Sequence, residues 1–183
     1  MTWRLRDKKT LHAGKRVTLE MHLLRNEETG LDHTREVVKT VDSVVVVPVM
    51  DDGRIVLIRN YRWAPGKELI ELPAGAIDAR EMPFNAAGRE LLEETGFLAG
   101  KILPLGKFYM SPGILTEQMY AFVAYDLMQS VARPDLGEEI VPMPTPKDEV
   151  MRMIRSGEIA DAKSIAALLL FDRYGTQSTE DAE

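Results

Sequence analysis

The sequence predicts a mixed α+β fold, with β-sheet and helices stacked in layers, and three observations carry that prediction. Strand-like apolar stretches dominate residues 17–61. One helical segment follows, with Pro83 near its start and Gly96 at its end. Strand-like segments then resume before two helical segments near the C-terminus. Strands and helices therefore do not alternate as they do in a βαβ fold.

Taken in order, Val17, Leu19, Met21 and Leu23 alternate with polar residues, as in a strand with one face covered. Asn26-Glu27-Glu28-Thr29-Gly30 is turn chemistry. A second strand is expected over residues 35–40. Residues 44–50 are nearly all apolar and read as a buried strand. Asp51-Asp52-Gly53 reads as a hairpin turn whose partner strand returns over residues 54–61. Ala64-Pro65-Gly66 opens a loop, residues 68–72 form a short strand, and Pro73 begins another loop. The helix covers residues 85–95, and Gly96 stands where a left-handed cap belongs. Residues 105–109 and 119–125 read as strands around the Ser111-Pro112-Gly113 turn. Residues 130–148 form a long loop containing one strand over 140–143. Helices over 147–155 and 162–174 close the fold, and the polar tail 176–183 is expected to fray.

The 183 residues suit one domain, and 45% hydrophobic with 28% charged residues is ordinary for a globular protein. Lys and Arg number 23 against 29 Asp and Glu, a net charge of −6. That balance makes a poor general nucleic-acid or anionic-membrane binder, though a few Arg or a divalent metal can still bind an anion locally. The absence of Cys excludes a disulfide scaffold, a zinc–thiolate site and a Cys nucleophile. The basic N-terminus lacks an apolar run, so no signal peptide is expected. The longest apolar stretch, residues 44–50, falls far short of the ~20 residues that span a bilayer. A soluble, cytoplasmic protein is the expectation.

The informative stretch is residues 75–97, GAIDAREMPFNAAGRELLEETGF. On a helix, Glu90, Glu93 and Glu94 stand at i, i+3 and i+4, so their carboxylates share one face. Like charges there repel, and a divalent cation reverses the sign of that effect. Magnesium takes oxygen ligands, commonly carboxylates together with substrate phosphates. Arg89 stands four residues before Glu93, placed to orient its carboxylate. A solvated acidic surface is the alternative reading of the helix alone. There is no GxxxxGK[ST], GxGxxG or HExxH elsewhere.

The longer pattern resembles the 23-residue Nudix box: Gly75, five residues, Glu81, seven residues, then Arg89-Glu90-Leu91-x-Glu93-Glu94-x-Gly96-Phe97, without departure. The resemblance implies an α/β/α sandwich around a mixed sheet. It also implies hydrolysis of a nucleoside diphosphate linked to another moiety, with Mg²⁺ or Mn²⁺. By the same resemblance Glu90, Glu93 and Glu94 bind metal and Arg89 orients them. Glu81 supports the loop–helix–loop, and the Ala74 carbonyl is a further ligand.

Three features outside the box resemble the ADP-ribose pyrophosphatase and nucleoside-diphosphate-sugar hydrolase branch. These are Asn60-Tyr61-Arg62 followed by Glu71-Leu72-Pro73-Ala74-Gly75, Ser111-Pro112-Gly113 with Glu117, and Gly157-Glu158-Ile159 with Asp161. Asn60 departs from the branch's usual Gln. Arg59 and Arg62 suit bidentate phosphate contact, or are solvated strand residues. Ser111 and Glu117 either touch the terminal sugar or, for Ser111, cap the turn. Trp63 either stacks on a base or packs beside a strand end.

The branch implies a general base in a late loop, here Glu138 and then Glu139, with Glu138 also among the metal ligands. Ordinary solvated loop acids are the alternative. His12, His22 and His33 lie far from the box. The expected organisation is an N-terminal β extension over residues 1–40, a hydrolase domain over 41–175 and a tail over 176–183. In this branch such an extension builds a homodimer, although an intramolecular sheet would read identically. The partners implied are a nucleotide-sugar substrate and a second copy of the chain, without nucleic acid or membrane.

Overall fold

The structure is a computed structural model that describes residues 2–132 and 140–175. The chain forms two compact units. Among the described residues, one comprises those up to Asp42 together with Tyr109–Gln118, and the other comprises Ser43–Phe108 and those from Met119 onward.

The first unit is built on an antiparallel sheet of β1 (Trp3–Ala13), β2 (Thr18–Asn26) and β3 (Asp32–Lys39), in that order. The β2–β3 turn forms as its composition predicts. The Asn26 side chain accepts from the Glu28 and Thr29 amides, both at 3.0 Å, and Gly30 takes φ 71°. Strand β1 was not expected. Every one of its side chains is exposed, and register shifts at Leu5/Asp7 and Thr10/His12 break any two-residue period. Residues 109–118 join this unit through a parallel bridge between Val38 and Leu115.

The second unit carries β4 (Ser43–Pro48), β5 (Ile55–Arg62), β6 (Lys67–Glu71), β7 (Ala74–Ala76) and α1 (Pro83–Thr95). Then come β8 (Phe97–Tyr109), β9 (Gln118–Gln129), β10 (Ile140–Thr145), α2 (Lys147–Ser156) and α3 (Ala162–Tyr174). Its strands form two sheets, ordered β7-β4-β9-β8 and β10-β5-β6. Strand β4 pairs antiparallel with β7 and parallel with β9. Its four consecutive valines, Val44 to Val47, are all fully buried. Val44 and Val46 pack with Ala86, Ala87 and Leu91 of α1 and with Val56, Phe97 and Phe122. Period two turns Val45 and Val47 to the opposite face, and α3 also packs on β4. Each buried valine contributes about 1.5–3 kcal/mol of transfer free energy.

The expected hairpin across Asp51-Asp52-Gly53 is only a turn. Its strands share one bridge, Val49 to Ile55, and then part into different sheets. Both edges of β4 are occupied, by β7 and β9, so β5 pairs instead with β6 and β10. Strand β7, three small residues, carries no sequence signal. Strand β8 begins eight residues before the expected start, because Gly100 and Pro104 disguise it. Strand β10 pairs only with β5, so Pro142 and Pro144 sit on an edge that tolerates a missing donor. Among the described residues, no helix is long and apolar enough to cross a membrane.

Helix α1 starts at Pro83 and ends at Gly96, whose φ of 73° is left-handed and whose amide donates to the Leu92 carbonyl at 2.9 Å. A Cβ at Gly96 would stand 2.9 Å from the Ala132 backbone nitrogen. Gly96→Ala is therefore expected to cost about 1–3 kcal/mol, seen as a lower urea midpoint with an unchanged slope. An unchanged midpoint would contradict this account of the cap.

Candidate active site

Helix α1 turns Ala86, Ala87 and Leu91 into the core and carries its acids along the same flank. Glu90 and Glu94 are buried, at 9% and 3% exposure, and Glu93 is half-buried. Buried carboxylates persist only with strong partners. Glu94 accepts from the Ala74 amide at 2.9 Å, which ties the helix to β7. The guanidinium of Arg89 gathers the rest. It donates to Glu81 through Nε and Nη2 at 3.1 and 2.9 Å, and through Nη1 to Glu90 at 2.7 Å and Glu93 at 2.9 Å. Its Nη2 also reaches the Ala76 carbonyl at 2.9 Å.

Glu81 closes the loop before the helix by accepting from the Asp78 amide at 3.0 Å. The Arg89 hydrogen bond holds its carboxyl below the ordinary glutamate value. The same bond, with those to Glu90 and Glu93, locks the guanidinium in its charged form. Gly75 faces the cluster. A Cβ built there would fall on the Glu90 carboxyl group, so only glycine lets this backbone lie against that acid.

Four carboxylates (Glu81, Glu90, Glu93 and Glu94) lie within a few residues of helix and loop around the Arg89 guanidinium. Such a set of oxygen donors fits a hard divalent cation in type. In the arrangement described, Glu90 and Glu93 point at Arg89. Among the described residues no three acids or histidines converge tightly enough to hold an ion.

A second ionic cluster lies at the C-terminal end of β6. Glu71, fully buried, receives Arg62 through Nε at 2.9 Å and Nη2 at 2.6 Å, and Lys163 at 2.6 Å. Lys163 also meets Asp161 at 2.9 Å. Burial alone would push the Glu71 carboxyl up, but Arg62 and Lys163 outweigh it and hold the group below its ordinary value. A depressed carboxyl stabilises the fold above its unfolded pKa, and that contribution is lost as pH falls through the folded one. Melting temperature is thus expected to drop below about pH 4.5, the unfolded glutamate range. Glu71→Gln should flatten that drop, and a slope identical in the variant would contradict the assignment.

Of the residues expected at the site, Arg89 bonds Glu81, Glu90 and Glu93 as one group, and Glu94 of the same helix bonds the Ala74 amide. Arg59 is an exposed residue of β5, whereas Arg62 is committed to Glu71. Trp63 is 82% exposed, edge-on to Tyr61 with ring centres 5.1 Å apart. Ser111 and Glu117 belong to the first unit, where the Ser111 carbonyl accepts from the Ile114 and Leu115 amides in a turn. Glu138 and Glu139 lie outside the described residues. Sequence reasoning gave no role to Lys163 and Ser164. The available signal was Asp161 ahead of an apolar run, an N-cap pattern.

With this geometry in place, comparison with known proteins is direct. The NUDIX domain model matches residues 39–168. The chain belongs to the Nudix family. An ADP-ribose pyrophosphatase of Bacillus subtilis (strain 168) is 33% identical over 141 residues, covering 76% of each chain. A GDP-mannose pyrophosphatase of Enterobacter sp. (strain 638) is 33% identical over 156 residues, covering 80% of this chain and 81% of its own. A solved structure titled as an ADP compounds hydrolase superposes with a TM-score of 0.86 at 27% identity, covering 95% of this chain and 94% of that one. The Nudix protein described here falls in the ADP-ribose pyrophosphatase branch and is a pyrophosphohydrolase of nucleoside diphosphate derivatives.

Proposed function

We propose that this Nudix enzyme hydrolyses the pyrophosphate of ADP-ribose or another nucleoside diphosphate sugar in a Mg²⁺-dependent reaction, releasing a nucleoside monophosphate and a sugar phosphate. The observation that carries this reading is the oxygen-only cluster of Glu81, Glu90, Glu93 and Glu94 organised by Arg89. Glu90, Glu93, Glu94 and the Ala74 carbonyl would hold Mg²⁺ or Mn²⁺, with Glu138 joining them. Such an ion, when bound, neutralises phosphate oxygens and acidifies water. Arg89 keeps Glu90 and Glu93 oriented between turnovers, and Gly75 gives the backbone room beside Glu90. Arg59 binds the phosphates, joined by Arg62 through the donors that its pair with Glu71 does not use, while Trp63 binds the base and Ser111 with Glu117 the distal sugar.

We place the general base at Glu138, with Glu139 second. Glu138→Gln is expected to lower kcat by about 10²–10⁴ with little change in substrate affinity. Near-normal rates would contradict it. The N-terminal extension over residues 1–40 serves homodimerisation, residues 41–175 form the hydrolase domain, and the protein works in the cytoplasm.

A panel assay tests the function. With Mg²⁺, ADP-ribose, ADP-glucose, GDP-mannose and UDP-glucose are compared by release of monophosphate. The reading expects cleavage of at least one, with ADP-ribose favoured by the Bacillus subtilis relative. A GDP-mannose preference is the second reading, supported by the Enterobacter relative. Binding without cleavage would replace both with a nucleotide-sensing regulator.

A further inference from the structure

We propose that Ser164, on the first turn of α3, is a positioning residue for the acid cluster, acting through the short connection between β6 and β7. The inference rests on the cation-binding role proposed above for Glu94 and the Ala74 carbonyl.

The connection, Leu72-Pro73, leads directly into Ala74, the first residue of β7, at the site. Pro73 has no N–H, so only two backbone donors, those of Leu72 and Ala74, can anchor it. Both are taken by side chains rather than by a sheet ladder. The Leu72 amide donates to Ser164 Oγ at 2.7 Å, and the Ala74 amide donates to Glu94 at 2.9 Å. The Pro73 carbonyl accepts from the Val46 amide at 2.9 Å. A ladder bond can form with any residue type, whereas these anchors depend on one hydroxyl and one carboxylate.

Ser164 itself is tightly set. It is fully buried, and its hydroxyl proton goes to Asp161 Oδ2 at 2.6 Å, which leaves its lone pairs for Leu72. The Ser164 amide donates to the same carboxylate oxygen at 3.0 Å, and Lys163 reaches it at 2.9 Å. Lys163 and Arg62 then bind Glu71, the residue just before the connection. The cap of α3, the end of β6 and the acid cluster therefore form one bonded path. Groups that orient metal ligands from behind commonly change affinity about 10–100-fold when removed.

The test compares Ser164→Ala with the parent. Mn²⁺ affinity is read on the substrate-free protein by electron paramagnetic resonance of free Mn²⁺. Amide exchange at Ala74 is read on the metal-free protein. The expected result is a loss of about tenfold in Mn²⁺ affinity and faster exchange at Ala74 as well as at Leu72. The Mg²⁺ concentration for half-maximal hydrolysis should rise in proportion, with kcat at saturating Mg²⁺ changing much less. A lower melting temperature with Mn²⁺ affinity and Ala74 exchange unchanged would mean a purely structural serine and overturn the proposal. Should Ser164→Ala fail to fold, Asp161→Asn keeps a capping oxygen but removes the charge that orients the hydroxyl. Weaker Mn²⁺ binding with faster Ala74 exchange then supports the proposal, and parent-like values overturn it. A parent protein that binds no Mn²⁺ would sink the functional reading instead, and Ala74 exchange would still decide the role of Ser164.

Discussion

Glu94→Gln is expected to lower kcat about a thousandfold or more while the protein stays folded. Glu94 is 3% exposed, and its carboxylate accepts the Ala74 amide at 2.9 Å. Glutamine has the same shape, and its carbonyl oxygen can accept the same bond, so packing and the α1–β7 tie survive. The negative charge does not. A thousandfold corresponds to about 4 kcal/mol, within the several kcal/mol that cation stabilisation supplies to a charged transition state. The check is kcat against the wild type, with thermal unfolding of both proteins at the same pH. A melt within a few degrees beside a kcat within tenfold would remove Glu94 from the machinery.

Gly75→Ala is expected to damage the same cluster from the opposite side. The added methyl would occupy the place of the Glu90 carboxyl group. Glu90 has little freedom to yield, since it is buried and bound to Arg89 at 2.7 Å. Either the acid moves off its position or β7 shifts away from β4. Overpacking of this kind costs about 1–3 kcal/mol of stability. Displacing a proposed cation ligand by an ångström should cost about a hundredfold in activity. Steady-state kinetics over a range of Mg²⁺ concentrations, together with a denaturant midpoint, measure both effects. Parent-like values of both would show that the Gly75 backbone is not confined as described.

Local chemistry made the acid cluster legible in the sequence. Helical spacing brings Glu90, Glu93 and Glu94 to one side, and Arg89 with Glu81 completes a pattern too long to be accidental. Helix α1 was readable for the same reason, because Pro83 and Gly96 punctuate it. The full set of partners around Glu71 was not legible, since Arg62 reaches it through the β5–β6 pairing and Lys163 only because the start of α3 comes to the end of β6. Strand β7 was invisible because its three small residues are held by pairing with β4, a contact about 30 residues away in sequence. The parting of β4 from β5 was hidden too. A turn at Asp51-Asp52-Gly53 reads the same whether its flanking strands pair or diverge, and only the claim of β7 and β9 on the edges of β4 decides it. Residues 109–118 show the same limit, as their membership in the first unit depends on pairing with Val38.

The central claim is that the α1 carboxylates hold a divalent cation against a diphosphate. A crystal of the protein with Mn²⁺ and a non-hydrolysable ADP-ribose analogue tests it most directly, through anomalous scattering at the manganese edge. The account predicts at least one manganese peak bounded by Glu90, Glu94 and the Ala74 carbonyl, with a phosphate oxygen of the analogue among its ligands. An analogue bound with no manganese between it and those groups, the glutamates still turned to Arg89, would contradict it.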